Sequence, residues 1–300
     1  MLYFDTISSL DSKKLYVQAA QQRGEVVRYD LASKQFVPIL ENISASDLAF
    51  SRDGKWITYV SIPEGNLWRS RIDGSERLQL TDSSVIASLP TWSPDGSQIA
   101  YIGSQNGGPW KIFLASMTGG PSEEVLPKDD PEVDVTWSAD GQRLAFGRIS
   151  TSQGTNDILV ADLKNRQVSS LPESKGLFSP RWSPDGRYLS AVTIDSKRVM
   201  LYDFQTQKWS EWFKSEGNIN YGGWSSDGRY FYYDTFAAQN PASFRVRFGQ
   251  HEPQNLYSLR GLRRYLGPWG SWSGQSPDDS RLYVRDAATP DIYALDVDFP

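Results

Sequence analysis

The chain has 300 residues, 39% of them hydrophobic and 13% aromatic, which is ample for one large globular domain or two ordinary ones. A formal charge of −5, from 31 basic and 36 acidic side chains, argues against a generally nucleic-acid-binding surface. With no cysteine there is no disulfide framework, thiolate nucleophile or cysteine metal site, and His251, the one histidine, leaves little material for histidine metal centres or triads.

The start, "MLYFDTISSL", lacks a basic n-region and a long apolar run, so it does not read as a signal peptide. No segment approaches the roughly 18–20 consecutive apolar residues of a membrane helix. A cytoplasmic location is expected if the chain is free-standing.

In chain order the same turn then returns. "SSLDSKKLY" around Asp11 is followed by "LAFSRDG", "PTWSPDG", "VTWSADG", "PRWSPDG", "GGWSSDG" and "GQSPDDSRLY". Taking the turn aspartates as anchors gives Asp11, Asp53, Asp95, Asp140, Asp185, Asp227 and Asp278, at intervals of 42, 42, 45, 45, 42 and 51 residues. A period of about 40–45 with several short strands per unit is the signature of a β-propeller. Before each turn comes a short strand ending in tryptophan or a substitute. After it comes an alternating run such as "KWITYV", "SQIAYI" or "RYFYYD", then a third strand such as "DILVADL", then an edge-like fourth. The reading is all-β: a single domain over residues 1–300, a seven-bladed β-propeller with a three-stranded last blade.

Ser-Pro-Asp-Gly fits a type I turn with proline at its second position and glycine at the left-handed position of a hairpin loop. Ser12 and Asp279 replace that glycine in the terminal units, and Phe50, Ser8 and Gln275 replace the tryptophan. Trp92, Trp137, Trp182 and Trp224 are expected to be buried at blade interfaces, as scaffold. Because strands near Pro268–Gly274, Arg281–Asp286 and Asp291–Val297 use up the chain, the last blade is expected to close against the first by side-chain packing, with an unpaired outer edge.

These residues resemble the TolB-like, WD-repeat-like propeller family over essentially the whole chain. The tail "LRGLRRYLGPWGSWSGQSPDDSRLYVRDAATPDIYALDVDFP" and the stretch "SRDGKWITYVSIPEGNLWRSRIDGSERLQLT" are similar to bacterial propellers fused behind winged-helix transcriptional regulators. The resemblance implies a binding or sensory module without catalysis of its own. No winged helix precedes Leu2, a departure from that pattern.

Candidate chemistry is sparse. "GSWSG" imitates a nucleophile elbow, but its central residue is Trp272, and no phosphate loop or dinucleotide fingerprint occurs. Three positions before the tryptophan slot stand Asp5, Asp47 and Asp134, with Glu132 nearby and Asn218 and Asn220 in the sixth unit. Such oxygen donors around a channel suit Ca²⁺ or another divalent cation, or are simply hydrated acids. Arg245, Arg247, Arg260, Arg263 and Arg264, interleaved with aromatics up to Trp269, form either a basic patch for an anionic ligand or partner, or plain strand alternation. The Gly-rich loops "SQNGGPW" and "STSQGTND" mark the binding face of a propeller. Two functions follow. One is a non-catalytic ligand- or protein-binding propeller, the sensor or interaction module of a regulatory protein, whose partner is a protein or small ligand at a propeller face. The other is a metal-dependent hydrolase of activated esters, with Asp5, Asp47, Asp134 and Asn220 around a channel cation. Beside these two functions stands a purely structural reading, a domain that completes a larger polypeptide.

Overall fold

The repeated turns are hairpin closures. In the computed structural model, which describes residues 2–10, 13–126, 131–149, 156–236 and 239–297, Ser93 Oγ donates to Asp95 at 2.6 Å. Asp95 accepts the Ser97 amide at 3.0 Å, and the Gly96 amide, at a φ of 73°, donates back to the Ser93 carbonyl. The set recurs at Asp53, Asp140, Asp185, Asp227 and Asp278. At the last turn Asp279 takes the left-handed conformation, with φ 63°, that glycine takes elsewhere. The Asp11 turn lies outside the described residues.

Each turn joins an inner strand to the next strand outward. The N-terminal strands are β1 (Leu2–Ser8), β2 (Lys14–Gln21), β3 (Gly24–Asp30) and β4 (Gln35–Pro38). Next come β5 (Ala45–Phe50), β6 (Trp56–Ser61), β7 (Leu67–Arg71) and β8 (Leu78–Gln79). They are followed by β9 (Val85–Trp92), β10 (Gln98–Gln105), β11 (Trp110–Ser116) and β12 (Glu123–Glu124). The fourth unit is β13 (Glu132–Trp137), β14 (Arg143–Ile149), β15 (Asn156–Asp162) and β16 (Val168–Ser170). The fifth is β17 (Leu177–Trp182), β18 (Tyr188–Thr193), β19 (Arg198–Asp203) and β20 (Lys208–Lys214). The last strands are β21 (Asn218–Trp224), β22 (Tyr230–Phe236), β23 (Ala242–Arg247), β24 (Gln254–Ser258), β25 (Ser273–Gln275), β26 (Arg281–Asp286) and β27 (Thr289–Asp296).

Among the described residues the fold is all-β and has seven sheets, as the seven anchors imply, six of four strands and one of three. Five of the four-stranded sheets are contiguous in the chain. The sixth is assembled from both ends of the chain in the order β25-β26-β3-β4, and the three-stranded sheet runs β1-β2-β27. The inner strands β5, β9, β13, β17, β21 and β25 each lie beside the next, and β25 lies beside β5, so six sheets close the ring around the channel. The three-stranded sheet continues the closing one. Pairs from Leu282↔Arg28 to Asp286↔Gly24 and from Thr289↔Gln21 to Asp296↔Lys14 keep one antiparallel register.

The expected closure is corrected by this pairing. The last strand does lie in a three-stranded sheet, but the ends are joined by backbone hydrogen bonds between β26 and β3 and between β2 and β27, where side-chain packing between faces was expected. Pairing satisfies N–H and C=O groups that packing alone would leave bare at two sheet edges. A repeat count assigns strands to units in chain order, so it does not reveal that N-terminal strands complete a C-terminal sheet.

The tryptophans sit at blade boundaries as scaffold. Trp92, Trp137 and Trp182 are 7%, 7% and 6% exposed, whereas Trp224 is half-buried and stacks on Trp212 with ring centres 4.9 Å apart. The indole N–H of Trp92 donates to Ala49, that of Trp137 to Thr91 and that of Trp224 to Arg181, at 3.2, 3.1 and 3.1 Å. In each case the acceptor is the carbonyl just before the slot residue of the preceding inner strand. Trp182 departs from this and donates to Gly186 in its own turn at 3.1 Å, while its ring stacks on Phe204.

Candidate functional site

The inner strands share an irregularity three residues before the slot. The register shifts between Ser46 and Ala49 on β5, Val133 and Thr136 on β13, Phe178 and Arg181 on β17, and Ile219 and Gly222 on β21; β9 slips likewise against β10. Asp47, Leu89, Asp134 and Ser179, at these bulges, have φ of 53°, 49°, 60° and 55°. Left-handed non-glycine residues are uncommon, and bulges re-aim side chains. Here they turn successive side chains toward one mouth of the channel.

That mouth holds a pocket of about 240 Å³. Leu89, Val133, Phe178, Ile219, Phe236 and Trp269 form its apolar wall; Asp134, Arg148, Asn156, Ser196, Asn220 and Tyr221 supply polar groups. Pockets for drug-sized ligands run from roughly 300 to 1,000 Å³, so this one suits a side-chain-sized group.

Beneath the wall lies a buried polar network. Asp234 on β22, whose side chain is fully buried, accepts from Arg264 at 2.5 Å, from Arg281 and Asn220 at 3.1 Å each, and from Ser273. Arg264 also donates to the Ser271 and Trp272 carbonyls, at 2.7 and 3.1 Å, and Asn220 to Ser271 at 2.7 Å. These bonds pin the long connection between β24 and β25 across the mouth. Trp269 then packs edge-on against Trp110, ring centres 5.3 Å apart, and its carbonyl accepts the Tyr221 hydroxyl at 2.8 Å. Asp134 is paired with Arg181 at 2.7 Å. Burial, with Asp47, Asp134 and Asp234 nearby, holds the Tyr221 hydroxyl well above its ordinary value, so it stays a neutral donor.

Asp47, by contrast, has no cationic partner among the described residues. Its carboxylate accepts from Ser88 Oγ and from the Leu89 amide at 3.1 Å, tying β5 to the bulge of β9. Burial pushes this carboxyl above the ordinary aspartate value of 3.8, against those two hydrogen bonds. The folded state therefore favours its neutral form. The stability it contributes is full below the ordinary value and is lost as pH rises through the raised one. Relative to Asp47→Asn, the unmodified protein should gain stability as pH falls from about 7 to about 4. Urea midpoints of the two proteins check this; a difference that does not move with pH contradicts it.

The structure brings some expected site residues together and separates others. Asp47, Asp134 and Asn220 gather around the channel, Asn218 begins the same strand as Asn220, and Glu132 is buried nearby against Lys111 at 3.2 Å. Asp5 lies on β1, opposite Gln18, in the three-stranded sheet and away from the ring. No three acidic or histidine side chains converge as a metal-ligand group among the described residues. The arginines do not form one patch either. Arg245 lies over Tyr230 and bonds Gln254, Arg260 bonds Asn240 and Arg263 pairs with Asp286. Arg247 ends β23 in solvent, while Arg264 and Trp269 belong to the channel mouth. Of the Gly-rich loops, residues 150–155 lie outside the described ones, though Asn156 lines the pocket.

Sequence reasoning missed Asp234, Arg281, Phe178, Phe236 and Tyr221. A signal existed for Asp234: it stands where four equivalent strands carry Val60, Ile102, Gly147 and Val192, and only β26, with Arg285, also has a charge.

Fold and site together define a β-propeller with a small, apolar-walled pocket at one mouth of its channel. The chain belongs to the TolB beta propeller domain (PD40) family, which matches residues 6–227. It is 32% identical over 143 residues to a protein TolB homolog of Chlorobium chlorochromatii, covering 47% of this chain and 31% of that one. It spans about a third or less of the length of the curated relatives it matches. Among solved structures, putative TolB from Agrobacterium tumefaciens superposes with a TM-score of 0.70 at 19% identity, covering 88% of this chain and 98% of that one. An oligogalacturonate lyase in complex with manganese superposes with a TM-score of 0.53 at 12% identity, covering 95% and 96%. These likenesses are of fold. Among the described residues no helix is long and apolar enough to cross a membrane.

Proposed function

We propose that this propeller is a non-catalytic binding module, the sensor or interaction part of a regulatory protein. It takes an apolar group of a protein or small ligand into the channel-mouth pocket. The observation that carries the reading is the pocket's construction: six apolar side chains around a side-chain-sized space, over charges already bonded to one another. A guest there is held by shape and desolvation, while the charges below keep the bulged strands in place. The metal-dependent hydrolase reading asks Asp134 to leave Arg181 and the Asn220 amide to leave Asp234 and Ser271. That rearrangement costs paired, partly buried groups their partners.

A displayed library of random peptides, selected on the purified protein, tests the proposal. Enriched peptides should carry an apolar anchor and lose at least about tenfold in affinity on Phe236→Glu, which puts a carboxylate in the pocket wall. Phe248→Glu, at an equally exposed aromatic remote from the pocket, should leave binding unchanged. Enrichment insensitive to Phe236→Glu overturns the proposed site. Hydrolysis of p-nitrophenyl acetate that requires added Ca²⁺ or Mn²⁺ overturns the non-catalytic reading.

A further inference from the structure

Among the described residues the strand β27 is the edge of its sheet, pairs with β2 on one side, and has all eight residues exposed. Two hydrogen bonds fix how its backbone points. The Val297 amide donates to Lys13 at 3.0 Å and the Ala287 amide to Arg23 at 2.8 Å, both in register with the eight pairs from Thr289↔Gln21 to Asp296↔Lys14. In an antiparallel ladder, residues alternate between bonding the neighbour and facing away. The odd-numbered residues of β27 therefore bond β2, and Ile292, Ala294 and Asp296 turn their N–H and C=O groups to the free side. Pro290 also falls on the free side, where its missing N–H costs no existing ladder bond.

The side chains at this edge are unusually apolar for solvent. Ile292 is 75% exposed, Tyr293 42% and Leu295 49%, with Ile7 at 66% and Tyr16 at 41% on the adjoining strands. Ile7 pairs with Tyr16 and Tyr16 with Ala294, so these three form a row on one face of the sheet.

We propose that this edge pairs with β27 of a second copy of the chain, antiparallel about a two-fold axis through Tyr293, making one six-stranded sheet. The strand is self-complementary in that register. Ile292 exchanges both backbone bonds with the partner's Ala294, and Ala294 with the partner's Ile292. The Asp296 amide donates to the partner's Pro290 carbonyl, so every outward amide is used and the proline is asked for none. Asp291 faces the partner's Leu295 and Asp296 the partner's Pro290, so no two carboxylates oppose each other. A one-residue slip sets Asp291 against the partner's Asp296 and puts outward groups opposite inward ones, and both effects forbid it. The row of Ile7, Tyr16 and Ala294 continues onto the partner's Ile292. An isologous contact of this kind closes on itself and covers the edge that would otherwise template open-ended pairing. One strand on each side is a small interface, so a weak, reversible dimer is expected.

The chain has no cysteine, so Tyr293→Cys places a single thiol on the proposed axis. There it forms a pair that is not hydrogen-bonded, with Cα atoms about 4.5 Å apart, inside the roughly 4.4–6.8 Å span of a disulfide. The expected results are a concentration-dependent shift from monomer to dimer in sedimentation, abolished by Tyr293→Asp. Mild oxidation should cross-link Tyr293→Cys at least about tenfold faster than Asp291→Cys or Leu295→Cys, whose thiols are offset across the axis. A protein that stays monomeric up to about millimolar concentration, its edge left for some other chain, overturns the proposal. So do equal cross-linking rates at the three positions, or a dimer that Tyr293→Asp leaves intact.

Discussion

Asp234→Ala is expected to lower stability by about 3–5 kcal/mol, because removing one partner of a buried ion pair leaves charge uncompensated. Asp234 accepts from two arginines, an amide and a hydroxyl, and its side chain is fully buried. Truncation strands Arg281, 2% exposed at its side chain, and Arg264, 11% exposed. It also loosens Asn220 and the connection bearing Trp269. Asp234→Asn keeps the shape and some hydrogen bonds but not the charge, and should fall between the alanine variant and the unmodified protein. Arg263→Ala, which removes an exposed pair with Asp286, should cost no more than about 1 kcal/mol. Urea unfolding of the four proteins gives the comparison. An Asp234→Ala variant no less stable than Arg263→Ala would mean that the network does not hold the mouth together.

The second large effect is expected at the blade boundaries. Trp137→Ala should cost about 3–5 kcal/mol, the range for large aromatic truncations in cores. Its ring belongs to one buried cluster that joins Leu144 and Phe146 of its own sheet to Ala100 and Ile102 of the preceding one, and its N–H is bonded to Thr91. The loss therefore opens a cavity between two sheets and frees an acceptor. Trp224→Ala should cost less, since that ring is half-buried and Trp212, Phe231 and Phe248 around it can close part of the space. Calorimetric or urea unfolding orders the two; a milder Trp137→Ala contradicts the proposed role of the buried indoles.

The fold was legible where local chemistry repeats. Ser-x-Asp-Gly, with Asp279 in the glycine's place at the last turn, dictates its own turn, so the anchors located six described hairpins and the inner strand before each. What stayed hidden was non-local. Nothing in "EVVRYDL" says that β3 will pair with β26 more than 250 residues away, because pairing partners are chosen by edge complementarity, which leaves no local trace. The site was legible in part for the same reason. Counting three residues back from the slot found Asp47 and Asp134 at the bulges, but counted Asp5 into a ring that β1 does not join. Arginine spacing after Arg245 reads as a patch in one dimension, whereas strand alternation and the connection after β24 send those side chains to different partners. The pocket wall was invisible, since Phe178, Ile219 and Phe236 look like any other strand residues until the channel brings them together.

The most direct test of the binding account is hydrogen exchange on the protein alone and with a library-selected peptide bound. The account predicts added protection at Val133–Val135, Phe178–Arg181, Ile219–Gly222 and Phe236, which line or adjoin the mouth, with the outer strands unchanged. Protection confined to the outer strands, or to β27, with the mouth unaltered, would contradict it.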